Sequence, residues 1–113
     1  MSTTRDPSTD QPLPRATAGP SIWHLVIADA ERLPDSAQLV ADMRARRELG
    51  MRKYGQPLQA GNGRSALRDL YDELLDAVAY ARQCVEEGRP LVAMYERLLD
   101  QAAQVQRMIE NPG

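Results

Sequence analysis

Asp69, Glu73, Asp76 and Tyr80 recur within DLYDELLDAVAY, residues 69–80, at steps of four, three and four. Residues at those steps share one face of an α-helix, so three carboxylates and a phenol project in one direction. Crowded carboxylates repel one another unless a cation neutralises them, and their hard oxygen atoms suit magnesium or manganese. The same stripe serves equally as a solvated acidic surface. At roughly 100° per residue its members fall within about 60° of one another, almost opposite the leucine face of their helix. A covering helix or subunit would make the stripe an interior cleft; without one it points into water.

The elements that must position these side chains read as helices. Ser65 is placed to cap a long helix through Glu87, with Leu67, Leu70, Tyr71, Leu74, Leu75, Val78 and Val85 as its apolar face and Gly88 as its end. Pro90 suits the first position of a last helix, in which Leu91, Tyr95, Leu98, Ala102, Val105 and Ile109 alternate in steps of four and three. That spacing is the seam of a helix packed along another helix, within the chain or in a second subunit. Upstream, Ile22, Leu25 and Val26 predict a short helix ended by Pro34. Asp35 and Gln38 have capping-box spacing before a helix from about residue 36 to 49, with Leu39, Val40 and Met43 as its apolar edge and Gly50 as its stop. Residues 50–64, GMRKYGQPLQAGNGR, form a connection dense in glycine, and connections of this length in small helical domains usually have a task. It gathers Arg52, Lys53 and Arg64 beside Tyr54 and Asn62, which is equally the composition of a phosphate site and of a solvated loop.

Composition narrows the partners. With 113 residues the chain is expected to form a single helical domain over 21–113, preceded by a disordered proline-rich arm over 1–20. A formal charge of -2 gives no reason to invoke nucleic acid, and short, interrupted apolar runs give none to invoke a membrane. The expected compartment is the cytoplasm, since the N-terminus carries no secretory pattern. Cys84 stands alone, so it reads as a buried thiol rather than half of a disulfide or a zinc ligand. His24, Trp23 and Tyr95 read as structural, and Arg44, Arg46 and Arg47 as helix-end charges.

ExxDxxxY, here Glu73, Asp76 and Tyr80, resembles the second metal-binding helix of the MazG-like, all-α nucleoside triphosphate pyrophosphohydrolases. The wider stretch over about residues 41 to 83 is similar to small bacteriophage MazG-like proteins of the pattern DMxxRxxxGxxKYGxPLxxxNGRxxLxDxxxExLDxxxY. The resemblance implies magnesium, with manganese possible, on Glu73 and Asp76, with Asp69 extending the stripe and Asp42 as an acidic candidate on the preceding helix. It implies attack of water on a nucleoside triphosphate, giving the monophosphate and pyrophosphate. Lys53 and Arg64 would contact phosphates, and Tyr54, Asn62 and Tyr80 would complete the nucleotide site. If the protein is phage-encoded, the setting is the host cytoplasm.

One departure from that family is plain. Its enzymes supply an ExxE pair from the preceding helix, whereas here Asp42 and Glu48 are separated by arginines. The alternatives are therefore a non-catalytic nucleotide binder, such as a phage sponge for a nucleotide immune signal, and a structural helical oligomer. The expected fold is all-α, three main helices plus a short leading one, completed by homo-oligomerisation.

Overall fold

The computed structural model describes residues 5–6 and 11–111, so much of the proline-rich arm, residues 1–4 and 7–10, lies outside the described residues. Four helices account for most of what is described: α1 (Ile22–Glu31), α2 (Ala37–Tyr54), α3 (Ala66–Glu86) and α4 (Val92–Glu110). Two-residue strands β1 (Arg5–Asp6) and β2 (Gln11–Pro12) pair antiparallel, with Arg5 opposite Pro12 and Asp6 opposite Gln11. The all-α expectation holds for the chain's architecture. The helices form two compact units, residues 1–64 and residues 65–113.

In the first unit α1 packs on α2. Its core is Ile27, Ala30 and Val40, with Trp23 and Met43 packed against them. Trp23, Ile27 and Ala30 follow helical spacing on α1, and Val40 and Met43 do so on α2, so two short apolar rows face each other. His24 is exposed on α1, off that row.

Two helix boundaries differ from the sequence expectation. Asp35 and Gln38 form no capping box: Ser36 is the N-cap of α2, and the Gln38 amide donates instead to Asp42 Oδ1 at 2.9 Å. Asp35 itself adopts a left-handed backbone, φ 53°, which removes it from the capping position. Nor does α2 stop at Gly50. It runs on to Tyr54 and ends at Gly55, whose φ of 72° supplies the left-handed turn and whose N–H donates to the Met51 carbonyl. A glycine inside a helix weakens it by about 1 kcal/mol relative to alanine but does not terminate it. Of the two glycines only Gly55 adopts the positive φ that turns the chain out of this helix.

In the second unit α3 packs along α4. Leu67, Tyr71, Leu74, Val78, Ala81 and Val85 step by four and three along α3 and are buried or half-buried; the same holds for Leu91, Tyr95, Leu98, Ala102, Val105 and Ile109 on α4. The seam expected of the last helix is thus met by a matching seam within the same chain. Small side chains, Ala81 and Ala102, are the buried alanines of the two seams. Leu70 and Leu75, expected on the apolar face, flank this seam and remain exposed at 48% and 45%. The Ser65 hydroxyl accepts from the Arg68 N–H at 3.2 Å, as a cap should. At the other end Gly88, φ 87°, lets its own N–H reach the Val85 carbonyl while Arg89 N–H reaches that of Cys84. Cys84 is a free, half-buried thiol.

Candidate functional site

The sequence-derived site residues fall in both units. Asp69, Glu73, Asp76 and Tyr80 lie on α3 in the second; Asp42, Lys53, Tyr54, Asn62 and Arg64 belong to the first.

On α3 the stripe lies opposite the seam that meets α4, as its angular position dictates. Glu73, Asp76 and Tyr80 are exposed, the phenol at 67%, and Asp69 is half-buried. Glu73, Asp76 and Tyr80 are therefore presented on one open helical face, with Asp69 half-buried at its start. Asp42, on α2, is also exposed and accepts the Gln38 amide. Among the described residues no three Asp, Glu, His or Cys side chains converge in the way a metal ion requires. The donor class nevertheless suits a hard cation: Asp69, Glu73 and Asp76 offer only carboxylate oxygens.

The first unit organises its polar residues differently. At the end of α2, Lys53 Nζ sits 5.0 Å from the centre of the Tyr54 ring, a cation–π pair at an exposed corner. Beyond it the glycine-rich connection is held by the proline-rich segment that precedes α1. Gln59, only 8% exposed, is the main tie: its Oε1 accepts the Thr17 N–H at 2.9 Å, and its Nε2 donates to the carbonyls of Thr17 and Gly19, each at 2.7 Å. Ile22 N–H donates to the Leu58 carbonyl at 2.7 Å. A glutamine amide mimics a peptide edge, so Gln59 pairs with Thr17 much as a neighbouring strand would.

Asn62 is the second tie. Its backbone carbonyl accepts Arg15 N–H at 2.9 Å, and its Oδ1 accepts Arg64 N–H at 3.1 Å. At 7% exposure it is buried, so its carbonyl groups serve the loop rather than lying open to solvent. Arg64 donates from Nη1 to the Pro12 carbonyl at 2.9 Å. Gln59, Arg15 and Thr17 carry no recognisable spacing in sequence, because the pairing joins segments far apart along the chain. The only hint was the presence of a glutamine and an asparagine between glycines.

Comparison with protein-family models, with curated proteins and with solved structures finds no match to the chain. Among the described residues no helix is long and apolar enough to cross a membrane.

Proposed function

We propose that the protein is a MazG-like, metal-dependent nucleotide pyrophosphohydrolase that acts as a homo-oligomer, splitting NTP or dNTP into monophosphate and pyrophosphate. The observation that carries this reading is the open stripe on α3, where Glu73 and Asp76, with Asp69 a turn earlier, stand on the face turned away from α4. In this reading those carboxylates hold magnesium, or manganese in its place, and Asp42 is the acidic candidate from α2. When bound, the ion supplies a water of lowered pKa and offsets charge on the phosphates. In the first unit, Lys53 and Arg64 are the resemblance's donors for phosphate oxygens and Tyr54 offers an exposed ring for a base to stack on; in the second, Tyr80 offers another.

A second copy is the simplest cover for the stripe. The α3–α4 hairpin leaves Leu70, Leu75, Leu99 and Met108 exposed, and two-helix units of this kind reach a closed core by pairing into four-helix bundles.

A second reading, a nucleotide binder that does not cleave, is favoured by α2. That helix offers Asp42, engaged by Gln38, and Glu48, whose carboxylate lies 3.7 Å from Arg47 Nε, in place of a free acidic pair. Thermal shift against a nucleotide panel, with and without magnesium, followed by product analysis, separates the two. Magnesium-dependent pyrophosphate release that disappears in Glu73→Gln and Asp76→Asn, with melting temperature retained, supports hydrolysis. Stabilisation by a nucleotide recovered intact supports binding alone, and no stabilisation under any condition contradicts both.

A further inference from the structure

Each helix of the α3–α4 hairpin carries a second row beside its seam. On α3 the row is Leu70, Ala77 and Cys84, and on α4 it is Met94, Gln101 and Met108, both advancing by seven residues. A seven-residue step drifts by about 20° on a straight helix, so both rows swing from roughly 60° to roughly 100° off their seams, in the same rotational sense. In two antiparallel helices packed seam to seam, sides of the same sense adjoin. Arg82 and Tyr95 mark the opposite sense, and they do meet: the Arg82 guanidinium carbon lies 5.5 Å from the centre of the Tyr95 ring. The two rows of seven therefore share the other flank of the hairpin.

That flank holds no charge in either row. Leu70, Met94, Gln101 and Met108 are exposed, and Ala77 and Cys84 are half-buried. The Arg82 flank is different in kind, since Arg82 is also paired with Glu86 at 3.0 Å. Within the hairpin only Ala81, Ala102 and Val105 are buried among the described residues, and two helices close a core of this type by joining two more. One charge borders each row at the outer edge of the uncharged flank: Glu73 on α3 and Arg97 on α4. Both are exposed, and neither makes a hydrogen bond or ion pair among the described residues.

We propose that this flank is the interface with a second copy of the chain, α3 of each copy lying over α4 of the other in an antiparallel four-helix bundle. An identical copy brings an equally uncharged pair of rows, so one surface serves both partners. The orientation follows from the edges: α3 over α4 sets the Glu73 edge of each copy along the Arg97 edge of the other, whereas α3 over α3 would set like charges together. The interface deepens the reading given above, resting on its homo-oligomer and assigning that oligomer a face; neither metal nor nucleotide is needed for it.

Sedimentation equilibrium of the full chain measures the dissociation constant of the dimer for the unsubstituted protein, for Gln101→Glu, and for Leu99→Glu on the opposite flank. Gln101 and Leu99 are exposed in the single chain, so both variants should keep their helical circular dichroism. Gln101→Glu puts an unpaired carboxylate in the middle of the interface and should weaken the dimer about tenfold or more, while Leu99→Glu should leave it within about twofold. Arg97→Glu should weaken it as well, and adding Glu73→Arg should restore it. A monomer at hundred-micromolar concentration overturns the proposal, as do equal effects of Gln101→Glu and Leu99→Glu; a reversed pair no tighter than Arg97→Glu alone overturns the α3-over-α4 orientation. A dimer that behaves as expected yet leaves nucleoside triphosphates intact keeps the interface and removes the catalytic reading. Hydrolysis by a protein that stays monomeric does the reverse.

Discussion

Gly50 and Gly55 stand near the same end of α2, and one substitution at each should have opposite signs. Gly50 is helical and a β-carbon there would meet nothing within 4 Å, so Gly50→Ala should stabilise the protein by about 0.5–1 kcal/mol. Gly55 has φ 72°, and Gly55→Ala should destabilise by about 1–2 kcal/mol despite equally open space. Urea denaturation of both variants checks the pair; the same sign at both positions would contradict this assignment of the helix end. Gln59 offers a second residue-scale test. Gln59→Glu retains an acceptor for Thr17 N–H but loses the donors to the Thr17 and Gly19 carbonyls and turns a carboxylate oxygen towards them. It should lower stability by about 2–3 kcal/mol and speed exchange at the Thr17 amide, as read by hydrogen exchange. At this scale the sequence identified residue types better than partners. Asn62 and Arg64 stood out as polar residues among glycines, but the partners Arg15 and Thr17 are joined to them only by the fold.

Among the elements, the hairpin of α3 and α4 was the most legible, because both helices carry uninterrupted steps of four and three and both ends are marked by Ser65 and Gly88. The α2 boundaries were less so. Two glycines competed for its C-terminus, and nothing local distinguishes a glycine that continues a helix from one that turns out of it. Capping-box spacing does not fix its N-terminus, because it leaves the backbone of the first residue open and Asp35 adopts a left-handed conformation. Small buried residues stand on both seams of the hairpin. Ala81 is 5% exposed, so Ala81→Leu should overpack the interface and lower stability by about 1–3 kcal/mol. Ala79→Leu, on an exposed position of the same helix, should change stability by no more than about 0.5 kcal/mol. Comparable urea midpoints for the two would show that the seam does not run through Ala81.

For the molecule as a whole, what covers the open face of α3 decides whether its carboxylates can form a metal site. Their spacing places Asp69, Glu73, Asp76 and Tyr80 opposite the apolar face of α3, and the α3–α4 pairing leaves that stripe on the side away from α4. What a single helix cannot supply is the second wall of a metal site, which is why the catalytic reading invokes a second copy. Light scattering coupled to size exclusion should give a mass at least twice the 12.6 kDa of one chain, and a strictly monomeric protein would remove that wall. Phosphorus NMR of a nucleoside triphosphate mixture incubated with the full-length protein and magnesium tests the proposed chemistry most directly. Signals of a monophosphate and pyrophosphate should grow in together, and should vanish in Glu73→Gln; unchanged triphosphate spectra with the folded, magnesium-supplied protein would contradict the proposal that it is a pyrophosphohydrolase.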